Sequence, residues 1–131
     1  MIKMNFIRLL WFTVLIFNLA YSQTGGVIFE IFETKNCKLN DMQKTNDFSY
    51  IIQNKKGDTI LANKYTPEEE VFLKTGNYIF SIYLNNYSRI KVISIEVSAD
   101  RLSLVKILFD EKCQFNRREK RFLRKQNFQN Y

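Results

Sequence analysis

The stretch from Thr75 to Val97 constrains the fold more than any other part of the chain, because its hydrophobic and polar residues alternate. Successive side chains of a strand point to opposite sides, so Tyr78, Phe80 and Ile82 fall on one face. A short Asn-Asn loop then leads into a second strand rich in β-branched residues. The stretch predicts two consecutive strands that share a hydrophobic core.

The second strand of this stretch changes its hydrophobic parity. Ile90 and Val92 share one face, and Ile93, Ile95 and Val97 share the other. One extra residue, a β-bulge near Val92, would produce such a change. A strand buried on both faces is the alternative, and the pattern leaves both open.

Other short segments with strand-like composition flank this stretch, and polar turns separate them. They are residues 27–34, 48–53, 59–65, 71–73 and 102–110. The polar segment 35–47 is interpreted as a connection, in which a short helical turn is an alternative. About seven short strands predict an all-β protein, a single antiparallel β-sandwich.

Gly76, Tyr78 and Phe80 form a Gly-x-Tyr-x-Phe strand pattern, and Asn86-Tyr87 precedes the long β-branched strand. This order resembles the carboxypeptidase-regulatory-like and transthyretin-like β-sandwich families, over about residues 27–109. Asn86 departs from the glycine that is usual in those families. The resemblance implies a sandwich fold and an accessory, non-catalytic role, and it implies no ligand.

The first 22 residues have the features of a signal peptide. Lys3 and Arg8 precede an apolar run from Leu9 to Ala20, and Ala20-Tyr21-Ser22 fits a cleavage site. The run has about twelve residues, fewer than the roughly twenty that span a bilayer. A cleaved signal is therefore favoured over a retained anchor containing Trp11, and no transmembrane span is expected in the mature chain. Export predicts a periplasmic, cell-surface or secreted protein.

Two cysteines and no histidine limit the chemistry of this chain. In an exported protein an even cysteine count indicates a disulfide, here Cys37 with Cys113, and two free buried thiols are the alternative. Histidine is the commonest general base and a common zinc ligand, so its absence argues against a Ser-His-Asp system and a zinc site. No catalytic residue, metal or cofactor is expected.

Two further groups of residues are interpreted as structural. Glu68-Glu69-Glu70 is favoured as a solvated acidic loop, because a Ca²⁺ site needs roughly six to eight converging oxygens. Tyr83 and Tyr87, with Ile79, are either an exposed aromatic platform for sugar or peptide or a second core layer. The core layer is favoured, because both faces of sandwich strands often bury something.

The excess positive charge lies at the end of the chain. Residues 23–116 contain twelve basic and twelve acidic residues, whereas residues 117–131 contain six basic residues and one acidic residue. The division predicts a sandwich domain over residues 23–113 and a basic tail, helical or disordered, over residues 114–131.

Basic residues interleaved with aromatic rings suit an anionic polymer or surface, because cations neutralise acidic groups and rings stack on ligands. The expected contact residues are Arg117, Arg118, Lys120, Arg121, Phe122, Arg124 and Lys125. Phe122-Leu123 is expected to be the apolar centre of the tail. A solvated end, docking on residues 68–70 and a protein partner are the alternatives. Export makes nucleic acid an improbable partner.

Together these features predict a small exported binding module that is not an enzyme and whose tail contacts an anionic cell-envelope surface or polymer. The alternative is a structural or assembly subunit that recruits a protein partner through a sheet edge. Salt separates the two, because edge-strand addition survives high salt and tail binding weakens steeply.

Overall fold

The computed structural model describes residues 23–84, 89–110 and 113–131, which contain eight strands, a short 3-10 helix and one α-helix. The predicted signal peptide and Tyr87 lie outside the described residues. The strands are β1 (Thr24–Glu33), β2 (Gln43–Thr45), β3 (Phe48–Asn54), β4 (Thr59–Lys64), β5 (Val71–Lys74), β6 (Gly76–Leu84), β7 (Arg89–Val97) and β8 (Leu102–Phe109). The 3-10 helix is Leu39–Asp41, and α1 is Arg117–Lys125.

The strands form two four-stranded sheets, which confirms the predicted all-β sandwich. Sheet B has the order β4-β3-β6-β7, and all its pairs are antiparallel. In sheet A the long strand β1 pairs with β8 in parallel along one edge. Its other edge is shared by two short antiparallel partners, β5 near its start and β2 near its end. Strand β2 lies in the segment that was predicted to be only a connection.

The main core lies between the two sheets and follows the alternation in the sequence. The predicted inward face of β6 is confirmed, since Phe80 and Ile82 are fully buried. Phe29 of β1 faces sheet B, with its ring centroid 4.8 Å from that of Tyr50 and 6.1 Å from that of Phe80. Aromatic and β-branched side chains of both sheets therefore interlock across the sandwich.

The predicted β-bulge in β7 is wrong, because β6 and β7 pair in continuous register from Gly76–Val97 to Leu84–Arg89. The alternative of two buried faces is also wrong, since Ile90 and Val92 are 50% and 58% exposed. The inward positions at the start of β7 belong to Arg89 and Lys91. There the sandwich is closed by ion pairs to Glu33 (3.4 Å) and Asp110 (2.9 Å).

The described part of the chain contains no helix with the length and apolarity needed to cross a membrane.

Candidate functional site

Helix α1 begins at a capping box. The side chain of Asn116 accepts a hydrogen bond from the Glu119 backbone N–H (2.8 Å), and the Glu119 carboxylate accepts one from the Asn116 backbone N–H (3.1 Å). These bonds satisfy backbone donors that the first turn of a helix leaves without partners. The only acidic residue of the helix is thus bonded to the backbone beside its own N-terminus.

The helix ends in a Schellman turn. Asn127 takes a left-handed conformation (φ 65°), its N–H donates to the Arg124 carbonyl, and the Phe128 N–H donates to the Leu123 carbonyl, both at 3.1 Å. Asparagine tolerates this conformation better than most residues. The turn reverses the chain, and the Gln129 N–H then donates to the Lys106 carbonyl of β8 (2.9 Å).

A second hydrophobic cluster, the docking cluster, fixes α1 to the outer face of sheet A. Its buried members are Leu108, Phe115, Leu123 and Phe128, and its partly buried members are Phe32, Leu39, Met42, Cys113 and Tyr131. Phe32 and Leu108 are register partners on β1 and β8, on the side of the sheet away from the main core. The tail is therefore a packed helix and not a solvated end, and it docks on these strands and not on residues 68–70.

Leu123 is the apolar centre of the tail, and the expectation that Phe122 shares this role is wrong. Leu123 is fully buried, whereas Phe122 is 43% exposed. Since neighbouring helical residues are separated by about 100°, only one of two consecutive side chains can point straight at the sheet.

Lys106 fills the space between the aromatic rings of the docking cluster. Its Nζ lies 4.7 Å from the Phe128 ring centroid, 5.8 Å from that of Phe32 and 3.8 Å from the Glu30 carboxylate. The cation is thus held by both rings and a carboxylate, an arrangement that favours burial of its alkyl stem.

The predicted disulfide between Cys37 and Cys113 is present, with the two Cα atoms 5.2 Å apart. It links the segment after β1 to the segment before α1 and closes a chain separation of 76 residues. Thr34 Oγ1 lies 3.4 Å from Cys113 Sγ. The bridge therefore tethers the start of the helix directly to the sheet on which the helix packs.

The predicted contact residues divide into two groups. With about 100° per residue, four cations lie within about 60° of the direction opposite Leu123, and we call them the outer basic face. They are Arg117, Arg118, Arg121 and Lys125, all exposed. Lys120 and Arg124 lie on one flank of the helix and line a cleft, and we call them the cleft pair.

The six helix cations lack carboxylate partners among the described residues, whereas four cations of the sandwich have one. The described ion pairs join Lys64 to Asp47, Arg89 to Glu33, Lys91 to Asp110 and Lys106 to Glu30. Within residues 23–84, 89–110 and 113–131, none of the six helix cations has a carboxylate oxygen in ion-pair range. Their positive charge is available to a ligand.

The cleft lies between α1, the start of β7 and the end of β8, and it has a volume of about 720 Å³. Besides the cleft pair it is lined by the ion pair of Lys91 and Asp110 and by three carboxamides. The carboxamides belong to Gln114, Gln129 and Asn130. Sequence reasoning missed them, because they meet only after the Schellman turn brings the chain back to β8.

The other predicted groups do not form a reactive site. Residues 68–70 are exposed, and no group of three or more His, Cys, Asp or Glu side chains that could hold a metal occurs within the described residues. Ile79 and Tyr83 are partly exposed on the outer face of sheet B. Neither residue belongs to the main core or to the docking cluster, so the choice between a second core layer and an aromatic platform stays a prediction.

Tyr50 has a pKa that departs from the usual tyrosine value. Burial raises the pKa, and the nearby Asn63 side chain opposes the shift. The hydroxyl has no hydrogen-bond partner of ordinary geometry in the described chain. Tyr50 is thus a neutral core residue, because a raised pKa keeps the phenol protonated.

No protein-family model, curated protein or solved structure matches this chain. The fold and the site define it as a disulfide-linked β-sandwich with a basic helix docked on the outer face of one sheet.

Proposed function

We propose that this protein is a small exported, non-catalytic binding module that uses the outer basic face to contact an anionic polymer or cell-envelope surface. The observation that carries the proposal is the exposure of four unpaired cations on a helix that is fixed to the sandwich. A contact of this kind neutralises acidic groups along the partner.

Fixation of the helix to the sandwich favours binding, because it lowers the conformational entropy that is lost when a partner binds. A helix of nine residues is marginal in isolation, so a free tail would lose conformational entropy when it bound. Here the docking cluster, the capping box and the disulfide hold the helix before any partner arrives. Three of the four cations are arginines, whose planar guanidinium groups bind phosphates and carboxylates through two parallel hydrogen bonds.

Phe122 adds an apolar element to the contact. Its ring is 43% exposed next to the outer basic face. An exposed ring among cations can stack on a ligand or enter the boundary layer of a lipid surface.

The net charge of the molecule concentrates on the helix, because residues 23–116 are balanced in charge. A neutral body with one positive face orients the protein as it approaches a negative surface. The binding should therefore weaken as salt is added.

Retention on anionic vesicles tests this function. Vesicles of phosphatidylglycerol and phosphatidylcholine should retain the protein at low salt, and vesicles of phosphatidylcholine alone should not. A variant with Arg117→Gln, Arg118→Gln, Arg121→Gln and Lys125→Gln should lose retention. The matched control removes four exposed lysines of the body, through Lys35→Gln, Lys38→Gln, Lys55→Gln and Lys56→Gln. Equal retention of the two variants would show that the outer basic face is not the contact surface, and would contradict the proposal.

Export is supported by the disulfide, since such bridges persist in oxidising compartments. We expect the mature protein to begin at Gln23 and to be periplasmic, cell-surface or secreted. N-terminal sequencing of the protein from fractionated cells tests this, and an intact Met1 terminus in the cytosolic fraction would contradict it. Kinship with the carboxypeptidase-regulatory-like and transthyretin-like families stays a prediction.

A second function, recruitment of a protein partner through a sheet edge, is favoured by one observation. Strand β7 is an edge strand of sheet B, and Ile90 and Val92 are at least half exposed on its outer side. An added strand gains main-chain hydrogen bonds and apolar contacts there. Binding of this kind should persist in high salt and be abolished by Val92→Lys. Binding through the outer basic face should instead be lost in high salt and be kept in the Val92→Lys variant.

A further inference from the structure

We propose that the cleft beside α1 is a binding site for a small anionic molecule that also carries hydroxyl groups, such as a phosphorylated or carboxylated sugar. This site is separate from the outer basic face, because the cleft pair points to the flank of the helix. The cleft volume of about 720 Å³ lies within the range of roughly 300–1,000 Å³ that is common for small-molecule sites.

The charge of the cleft points to an anion. Lys120 and Arg124 are separated by four residues, so their side chains leave the helix as neighbours and reach toward the same volume. Lys91 and Asp110 on the opposite wall neutralise each other at 2.9 Å, and their side chains are only 27% and 16% exposed. The four charged side chains of the lining therefore sum to two positive charges, both carried by the cleft pair.

The polar lining points to hydroxyl groups. The carboxamides of Gln114, Gln129 and Asn130 each offer donors and an acceptor, which suits a hydroxyl that both donates and accepts. The backbone of Gln129 is fixed to β8 by its hydrogen bond to the Lys106 carbonyl (2.9 Å). The carboxamide oxygens can accept hydrogen bonds from hydroxyl groups, which an ionised phosphate cannot donate, so the lining favours a hydroxyl-bearing ligand over bare phosphate.

One wall of the cleft is apolar. Phe115 is buried in the docking cluster, and its ring centroid lies 6.4 Å from that of Tyr131 in an edge-on arrangement. Both residues line the cleft. Apolar walls with a few placed polar groups are typical of small-molecule sites, and the C–H face of a sugar ring suits such a wall.

Calorimetric titration of the purified protein at low salt tests the site with four probes. They are inorganic phosphate, glucose 6-phosphate, glucuronate and glucose. We expect saturable binding of glucose 6-phosphate and glucuronate, weaker binding of inorganic phosphate, and none of glucose. Equal affinities for inorganic phosphate and glucose 6-phosphate, or no saturable binding of any probe, would overturn the proposal.

Two matched double variants locate the binding. Lys120→Gln with Arg124→Gln should weaken glucose 6-phosphate binding by at least about tenfold, because two charge-assisted hydrogen bonds are lost. Arg121→Gln with Lys125→Gln makes the same charge change at the same spacing on the outer basic face, and should change the affinity by less than about twofold. Equal weakening by both pairs would show a non-specific charge effect and overturn the site.

The side-chain amide NMR signals of Gln114, Gln129 and Asn130 give a second readout. They should shift on addition of glucose 6-phosphate and stay in place for the cleft-pair variant. Shifts confined to other amides would place the ligand elsewhere. Vesicle retention of the cleft-pair variant should be largely kept, so failure of the cleft and failure of the outer basic face are distinguishable.

Discussion

The main core and the docking cluster bury hydrophobic residues in different ways. The main core is built from regular alternation in all the long strands, and each of its side chains is supported by hydrogen-bonded strands on the same sheet. Among the described residues, the docking cluster has four buried members, which come from β8, α1 and the segments on either side of the helix. The position of the helix therefore depends on a few local interactions, whereas the sandwich is stabilised by many similar contacts between its strands.

The candidate binding surface therefore lies on α1, which is held by fewer buried contacts than the strands of the sandwich. The capping box, the Schellman turn and the disulfide each fix one end of α1 or one neighbouring segment. They compensate for a helix that contributes a single buried residue, Leu123. Substitutions in the two regions should consequently have effects of different size and extent.

The largest effect is expected for Phe80→Ala in the main core. Phe80 is fully buried, and removal of a buried phenylalanine side chain costs about 3–5 kcal/mol. Urea denaturation followed by far-UV circular dichroism should show this loss in one transition of the whole sandwich. Phe122→Ala is the control and should cost less than about 1 kcal/mol, because the ring is half-exposed. Similar losses for both variants would contradict the division between the two regions.

The next effect is expected for removal of the disulfide by Cys37→Ser with Cys113→Ser. A bridge across this separation contributes about 2–4 kcal/mol. The docking cluster should loosen first, so amides of α1 should exchange faster while those of β6 stay protected. Reduction of the unmutated protein is the control and should have the same effect. An unchanged melting temperature in both cases would show that the bridge does not support the helix.

A smaller effect is expected for Asn116→Ala, which removes the helix cap. Loss of a cap costs about 1 kcal/mol, and it should be seen as a lower melting temperature and as fraying of the first turn of α1. Asn116→Asp keeps an acceptor at the same position and should behave like the unmutated protein. If Asn116→Asp destabilised the protein as much as Asn116→Ala, the Asn116 side chain would not act as a helix cap.

The smallest effect is expected for Tyr50→Phe. The hydroxyl is buried without an ordinary hydrogen-bond partner, so its removal should be neutral or stabilising by less than about 1 kcal/mol. Burial raises the pKa of Tyr50 above 10.0, and the unfolded chain therefore loses this proton first as pH rises. Stability should fall above about pH 10 in the unmutated protein and fall less in the variant. An identical pH profile of unfolding would contradict this.

Part of the fold could be predicted from the sequence because strand alternation is a local property. The inward face of β6 followed directly from Tyr78, Phe80 and Ile82. Alternation failed at the start of β7, where Arg89 and Lys91 take the inward positions. Their partners, Glu33 and Asp110, lie on or just after other strands, and no local pattern contains that information.

The candidate site, like the fold, could be predicted only in part from the sequence. The cations of α1 and the bridge between Cys37 and Cys113 were identified from residue counts and charge distribution. The choice of Leu123 over Phe122 as the buried residue depends on the angle at which the helix meets β1 and β8. The cleft depends on the turn at Asn127, which returns Gln129 to β8. Such features arise only when distant segments meet.

Native-state amide hydrogen exchange at the end of α1 tests most directly whether the basic helix is fixed to the sandwich. The amides of Gln126, Phe128 and Gln129 donate hydrogen bonds at 2.9–3.1 Å. We expect them to exchange at least about 100-fold more slowly than in an unstructured chain, which corresponds to about 3 kcal/mol of local stability. Exchange at the rate of an unstructured chain, with the amides of β6 still protected, would show a free tail and contradict the account.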